Sequence, residues 1–291
     1  MGISLALGAT MAVAEPASLD DYMKQTRHSA DATVHYGPAN SQVAELFLPK
    51  TKGPHPIVVL LHGGCFLNQY EGFAQTSGLA SDLAGRGYAV WNVEYRKLGE
   101  AGAGYPGTFQ DVAAAIDALR AEAPKHGLDL KRVVAVGHSA GGHLALWAAG
   151  RKNLPSNSPL QTASPLKIGA VISLAGIGDL QGQGRVFGLP CGDDTIERLV
   201  DTKNRKQPFA DTSPAELLPL GARVVMVHGT FDPVMPPYTG RDFVLKVRSA
   251  GDSADVITLP DAAHFDLVIP TTPAWKAIVA VLDREMKALP R

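Results

Sequence analysis

Cysteine is scarce in this chain of 291 residues, which contains only Cys65 and Cys191. So few cysteines exclude a disulfide-dense scaffold, and the lack of a C-x-x-C pair argues against a metal site built on cysteine. The sequence leaves open whether the two residues form one disulfide or remain free thiols. No trio of histidine and carboxylate residues has metal-ligand spacing either, so we expect no catalytic metal and no other cofactor.

An excess of charge of one sign is also lacking, since 27 basic residues balance 28 acidic ones and the formal net charge is −1. This balance argues against a surface for nucleic acid. Beyond the N-terminus, no apolar run approaches the ~20 residues of a membrane-spanning helix, so we expect no membrane span. The length allows a sizeable core in one large domain or two small ones. It leaves the oligomeric state open, a homodimer included.

The first 14 residues have a pattern of their own. Residues 3–13 are apolar or small, and the Ala-Val-Ala that ends at residue 14 has the small-x-small form of a signal-peptidase site, although no Lys or Arg precedes the apolar stretch. We expect residues 1–14 to be a signal peptide and the mature protein to be exported, either to a periplasm or out of the cell. The alternative is a cytoplasmic protein with a buried N-terminal segment. Export would permit the two cysteines to form a disulfide.

Short apolar runs rich in β-branched residues alternate with amphipathic stretches along the chain. Such runs are typical of strands buried on both faces of a parallel sheet, and they cover residues 56–61, 88–93, 132–136, 168–174, 222–227 and 254–259. Ahead of them, residues 44–48 predict an edge strand in an antiparallel start. Helical spacing of apolar residues appears between Phe109 and Leu119 and again between Trp275 and Leu289. This order predicts an α/β fold with a mostly parallel central sheet and helices on both faces.

The longest interruption of this alternation is about residues 178–215. It is rich in Gly, Pro and Asp and contains one short helical pattern at residues 194–200, too little for a domain of its own. An insertion at this point lies beside the carboxyl ends of the strands, where open α/β sheets bind ligands. We therefore expect a small lid there, within a single domain that spans residues 15–291.

A candidate nucleophile lies in the segment Gly137-His138-Ser139-Ala140-Gly141. This G-x-S-x-G pattern directly follows a predicted strand and precedes a small, apolar helical stretch at residues 142–150. The strand-turn-helix context is that of a nucleophile elbow, in which the flanking glycines let the chain turn sharply enough to expose the serine. The pattern therefore predicts Ser139 as the nucleophile of a hydrolase.

A further loop contributes to the expected chemistry. The segment His62-Gly63-Gly64-Cys65-Phe66 ends an earlier strand, and its small residues allow backbone N–H groups to approach a reacting carbonyl. Such a loop supplies part of an oxyanion hole, and the N–H of the residue after the nucleophile, here Ala140, supplies the rest.

The acid and the base are expected after the nucleophile in the chain. Asp232 follows the strand at residues 222–227 and His264 follows the strand at residues 254–259, which gives the order Ser, Asp, His at successive strand ends. His264 is then the general base and Asp232 the carboxylate that orients it. Three other carboxylates are alternatives for the acid: Asp179, Asp261 and Asp266.

Together these segments resemble a known family. HGGCF, GHSAGG, HGTFDPVMP and DAAHF are similar to segments of the α/β-hydrolase superfamily of serine esterases, as are Glu94-Tyr95-Arg96, Tyr105-Pro106-Gly107 and Asp111-Val112. Within it they resemble the branch of hormone-sensitive-lipase-type esterases, kynurenine formamidases and small feruloyl or acetyl esterases. The resemblance covers roughly residues 44–286. It implies the following roles: nucleophile Ser139, acid Asp232, base His264, and oxyanion donors at the backbone of Gly64, Cys65 and Ala140.

The chain departs from both subfamilies in one loop. Cys65 replaces the third glycine usual in the lipase-like esterases, and Phe66 replaces the tryptophan usual in formamidases. A backbone donor tolerates a changed side chain, so the expected function is a serine carboxylic ester hydrolase that acts through an acyl-enzyme on small or aryl/acyl esters. An arylformamidase or a small serine peptidase is the alternative, because the same triad cleaves amides. Phe66, Val234 and Phe265 are expected to line the substrate pocket.

Overall fold

The computed structural model describes residues 15–290, so the predicted signal peptide, residues 1–14, lies outside the described residues. The strands are β1 (Ala32–His35), β2 (Val43–Phe47), β3 (His55–Leu61), β4 (Ala89–Val93), β5 (Leu128–His138), β6 (Ala170–Leu174), β7 (Arg223–Gly229) and β8 (Ala254–Leu259). The α-helices are α1 (Leu19–Met23), α2 (Ser77–Gly85), α3 (Gly107–His126), α4 (Ala140–Gly150), α5 (Leu180–Cys191), α6 (Thr195–Val200), α7 (Pro237–Ser249) and α8 (Pro273–Ala288).

These strands form one sheet in the order β1-β2-β4-β3-β5-β6-β7-β8. The pairs β1–β2 and β2–β4 are antiparallel, and every later pair is parallel. The predicted α/β fold class is thus confirmed. The edge position expected for residues 44–48 is wrong, because β2 lies between β1 and β4. The edge strand on this side of the sheet is β1, which alternates half-buried and exposed residues and is too polar and short to be recognised from its sequence.

The core lies on both sides of the sheet. All five residues of β4 and all five of β6 are buried, and successive residues of a strand point to opposite faces, so both faces are covered. Helix α4 packs against β5 and β6, and α7 packs against β7 and β8. Because the central strands are parallel, their carboxyl ends meet along one edge, where the loops that follow them converge.

The segment at residues 178–215 contains α5 and α6. Helix α5 was not predicted, because its sequence holds three glycines and Pro190, which ordinarily disfavour a helix. Two features at its ends hold it: Asp179 caps its start by accepting a hydrogen bond from Gly182 N at 2.8 Å, and Cys191 at its end is bonded to Cys65. The disulfide left open by the sequence is therefore formed, and it ties this segment to the HGGCF loop.

Among residues 15–290, the helices include none that is both long and apolar enough to cross a membrane.

Candidate active site

Ser139 lies in the sharp turn between β5 and α4. Its backbone has φ 53° and ψ −117°, a conformation that side-chain-bearing residues rarely adopt. Two hydrogen bonds hold the turn: Ser139 N donates to Leu174 O on the neighbouring strand at 2.8 Å, and His143 N donates to Ser139 O at 3.2 Å. The surrounding strands and helix therefore impose the strain that a nucleophile elbow requires.

The flanking glycines are needed because the chain passes close to itself. A Cβ on Gly137 would overlap the carbonyl of Gly141, and a Cβ on Gly141 would overlap the carbonyls of Leu61 and His62 at the end of β3. Any side chain at either position would push the elbow away from the strand ends. The G-x-S-x-G pattern is thus a packing requirement at this site.

Asp232 and His264 are hydrogen bonded to each other. His264 Nδ1 lies 2.9 Å from Asp232 Oδ2, and the carboxylate's other oxygen accepts backbone N–H groups from Val234 at 2.8 Å and Met235 at 2.9 Å. Burial alone would raise the pKa of Asp232, but the hydrogen bond from His264, its charge and the two N–H groups outweigh burial and hold that pKa below its ordinary value. The carboxylate therefore stays ionised beside the ring.

The alternative acids are engaged elsewhere. Asp179 caps α5 and pairs with Lys246 at 2.5 Å. Asp266 accepts the N–H of Ala263 at 2.8 Å, and Asp261 is exposed. Of the four carboxylates weighed from the sequence, Asp232 is the one that contacts the His264 ring.

Ser139 and His264 line one cavity of about 200 Å³. Its lining comprises Leu19, Tyr22, Gly64, Cys65, Tyr70, Gln75, His138, Ser139, Pro190, Cys191, Val234, His264 and Phe265. The hydrogen bonds formed within residues 15–290 do not include one from the Ser139 hydroxyl to the His264 ring. Hydrogen bonds of this kind commonly tighten only when substrate is bound.

The expected oxyanion donors surround Ser139. Gly64 and Cys65 line the cavity with φ angles of 105° and 55°, so the loop after β3 makes a tight left-handed turn there. Ala140 is fully buried at the first position of α4. N–H groups in the first turn of a helix have no partner within the helix and lie at the positive end of its dipole, a suitable place for a developing negative charge.

Two of the three expected pocket residues, Val234 and Phe265, line the cavity. The expectation for Phe66 needs correction, since its side chain is fully buried and is absent from the lining. Its φ of 60° continues the left-handed turn, and its ring packs in the core with centroids 5.7 Å from both His143 and Phe187. Phe66 therefore packs in the core and does not line the cavity itself.

The cavity lining also includes residues of α1 and of the end of α5, which are not predicted from the sequence. Leu19 and Tyr22 line the cavity, as does Pro190, and the Tyr22 ring stacks on Phe265 with centroids 5.6 Å apart. No local motif marks these residues. The only signal in the sequence is the N-terminal serine cap of α1, which shows that a helix begins at Leu19 but not where it packs.

A second histidine, His138, lies against His264. The two rings are 4.4 Å apart, and His138 Nε2 lies 3.1 Å from the backbone oxygen of His264. Burial and the neighbouring His264 charge lower the pKa of His138 well below its ordinary value. The ring is therefore neutral near neutral pH and does not carry a charge that would oppose protonation of His264.

A strained serine elbow, a histidine–aspartate pair and a glycine-rich loop at the carboxyl edge of a mostly parallel sheet define the class. The protein is a member of the α/β-hydrolase superfamily of esterases. Residues 44–247 match the family described as BD-FAE, and the chain belongs to that family.

Individual relatives are more distant. The chain is 28% identical over 274 residues to Esterase LipC of Mycobacterium tuberculosis, a match that covers 90% of this chain and 67% of the relative. It is 26% identical to isoprenylcysteine alpha-carbonyl methylesterase ICME of Arabidopsis thaliana, with 85% of this chain and 58% of the relative covered. The chain thus spans only part of the length of these relatives.

A solved structure shares the fold. Esterase B from Lactobacillus rhamnosis, determined with a C4-C4 tributyrin phosphonate, superposes with a TM-score of 0.74 at 18% identity, covering 91% of this chain and 89% of that chain.

Proposed function

We propose that this protein is a serine carboxylesterase that hydrolyses esters of small acyl groups through an acyl-enzyme. The observation that carries the proposal is that His264, hydrogen bonded to the buried Asp232 at 2.9 Å, lines the same cavity as the strained Ser139. The relatives named above are esterases, which favours an ester over the formamide or peptide bond that the same triad could cleave.

The chemistry follows from the roles of these groups. Ser139 Oγ attacks the ester carbonyl while His264 Nε2 takes its proton, and Asp232 stabilises the resulting imidazolium. Backbone N–H groups of the Gly64 loop and of Ala140 hold the oxyanion. His264 then gives its proton to the leaving alkoxide, and the acyl group remains on Ser139. Water, deprotonated by His264, attacks the acyl-enzyme and releases the acid.

The volume of the cavity supports a small acyl group as substrate. Its volume of about 200 Å³ is below the roughly 300–1,000 Å³ typical of pockets for drug-sized ligands. Its lining is mostly apolar and includes Val234, Phe265, Pro190 and the disulfide. We therefore propose acetyl to butyryl esters as the favoured class, and the C4 phosphonate held by esterase B is consistent with that range.

A panel of p-nitrophenyl esters with acyl chains from acetyl to decanoyl tests this proposal. We expect kcat/KM to be highest for the short chains and to fall steeply for the long ones, because a long chain would have to displace the cavity wall. Ser139→Ala measured in parallel should lose activity by orders of magnitude. Preference for decanoyl, or for an N-formyl anilide over every ester, would contradict the proposed substrate class.

We also propose that the protein is exported. The disulfide between Cys65 and Cys191 supports this, because disulfides persist in oxidising compartments and are rare in the cytosol. Mass spectrometry of the protein from its native host should find a mature chain that begins at Glu15. An intact N-terminus on cytosolic protein would contradict export.

A further inference from the structure

The His62 ring lies between two hydrogen-bond acceptors directly before the oxyanion loop. Its Nδ1 is 2.6 Å from the backbone oxygen of Gly63, and its Nε2 is 2.8 Å from Glu94 Oε1. A carbonyl oxygen can only accept a hydrogen bond, and a carboxylate that is ionised can only accept one as well. Both ring nitrogens must therefore donate, which requires a proton on each. His62 is then an imidazolium.

Its surroundings suit a cation. The Tyr95 ring stacks on His62 in parallel with centroids 4.3 Å apart, so the cation lies over an aromatic face. The Tyr95 hydroxyl also donates to the backbone oxygen of His62 at 2.8 Å, which fixes the residue from its main chain. His62 is 1% exposed, so the ring cannot exchange these partners for water.

Glu94 is the anion that holds this cation. Its carboxylate is buried and accepts hydrogen bonds from Lys97 Nζ at 2.8 Å, from Tyr95 N at 2.9 Å and from Phe73 N at 3.1 Å. Burial alone would raise the pKa of Glu94, but the charges and hydrogen bonds of His62 and Lys97 outweigh it and lower that pKa to about 2. The carboxylate is therefore ionised at every pH at which the enzyme would be assayed.

His62 controls the direction of an oxyanion donor. The Gly63–Gly64 peptide is trans, so the Gly63 carbonyl and the Gly64 N–H point in opposite directions. Because His62 Nδ1 binds that carbonyl, the Gly64 N–H is directed away from the His62 ring. Gly64 lines the cavity that contains Ser139. The chain of contacts thus runs from Glu94 through His62 to the Gly64 peptide.

We propose that Glu94 is a positioning residue for catalysis: it keeps His62 as an imidazolium, which orients the Gly64 N–H and places a fixed positive charge behind the oxyanion hole. The kinetic consequence of this inference rests on the proposed function, whereas the charge state of His62 is independent of that function. The ionisable groups around the ring are Glu94, Tyr95 and Lys97 on the segment after β4, with Glu100 3.7 Å from Lys97, and His138 at the end of β5.

Hydrolysis of p-nitrophenyl acetate by the Glu94→Gln variant tests the kinetic consequence of the proposal. The amide keeps the shape of the side chain but removes the negative charge that faces the His62 ring. We expect kcat to fall roughly tenfold with KM little changed, since the oxyanion forms only in the transition state. An unchanged kcat, or a loss that appears in KM instead, would overturn the proposal.

Asp117→Asn is the matched control. Asp117 also forms an ion pair with a buried partner, Arg151 at 2.8 Å, but on α3 and away from the cavity. The Asp117→Asn substitution should lower the free energy of unfolding and leave kcat per folded molecule unchanged. A loss of kcat equal to that of Glu94→Gln would show a general stability effect and overturn the proposal.

The protonation of His62 can be observed without turnover. In the histidine ring 15N spectrum of the wild-type protein under the conditions of the assay, one ring should carry protons on both nitrogens, and its signal should be missing from His62→Asn. A neutral His62 would overturn the proposal whatever the activity. If instead the imidazolium is seen while Ser139→Ala retains esterase activity, the proposed function fails and the charge assignment stands.

Discussion

Asp232 and His264 are 32 residues apart in the sequence, yet Asp232 Oδ2 lies 2.9 Å from His264 Nδ1. They meet because β7 and β8 are parallel neighbours, so the loops that follow them leave the sheet at the same edge. The carboxylate is oriented in turn by two backbone N–H groups of its own loop. His264 is therefore held by groups that all belong to adjacent strand ends.

Asp232→Asn should reduce kcat by roughly 10⁴-fold, because the amide no longer stabilises the imidazolium and no longer selects the tautomer that presents a free nitrogen to Ser139. Steady-state hydrolysis of p-nitrophenyl acetate measures the effect. Asp261→Asn is the control, since Asp261 is exposed and precedes His264 by three residues, and asparagine tolerates its φ of 53°. Equal losses in the two variants would refute the assignment of the acid.

Removal of the disulfide should affect both stability and selectivity. The bond closes a loop of 126 residues, so the double variant Cys65→Ser/Cys191→Ser should unfold more easily by about 2–5 kcal/mol. Both cysteines line the cavity, so the variant should also gain relative activity on octanoyl over acetyl esters. Urea unfolding and the ratio of kcat/KM values measure the two effects.

A reductant provides the matched comparison for the disulfide. It should reproduce both changes in the wild-type protein and have no effect on the double variant. The prediction would be contradicted if a reductant released both thiols in the wild-type protein without changing its stability or its selectivity.

Tyr22→Phe should stabilise the protein. The Tyr22 hydroxyl is buried and has no hydrogen-bond partner among residues 15–290, so its removal should raise the free energy of unfolding by about 1–2 kcal/mol. Tyr88→Phe should do the opposite, because the Tyr88 hydroxyl donates to Asp283 at 2.5 Å. Urea unfolding of the two variants checks the signs, and a destabilised Tyr22→Phe would refute the prediction.

The stability cost of Glu94→Gln should depend on pH. The pKa of Glu94 is about 2 in the folded protein against an ordinary value of 4.5, so the ionised carboxylate stabilises the fold above about pH 4.5, and this contribution is lost as pH falls toward 2. The difference in unfolding free energy between wild type and variant should therefore be constant near neutral pH and shrink in acid. A difference that grows in acid would contradict the lowered pKa.

The parts of this protein that follow the alternation of strands and helices can be predicted from the sequence. The apolar runs show the parallel strands, and Ser139, Asp232 and His264 could be singled out because each follows such a run. Glu94 was harder to recognise. The role of Glu94 depends on the groups that it contacts in the folded protein. In the sequence, a carboxylate three residues before a lysine is typical of an ordinary ion pair on the surface.

Residues whose position depends on long-range packing could not be predicted. Leu19 and Tyr22 reach the cavity from α1, far from any catalytic motif, and Pro190 does so because the disulfide holds the end of α5 there. Phe66 was wrongly expected in the pocket, because the left-handed turn of the oxyanion loop, which no side-chain pattern reveals, directs its ring into the core.

The most direct test of the serine-esterase account is covalent labelling of the folded protein with a fluorophosphonate, followed by peptide mapping. We expect a single label, on Ser139. The label should appear together with the loss of esterase activity and should not form on Ser139→Ala. A label on another residue, or a Ser139→Ala variant that still hydrolyses p-nitrophenyl acetate at the wild-type rate, would contradict the serine-esterase account.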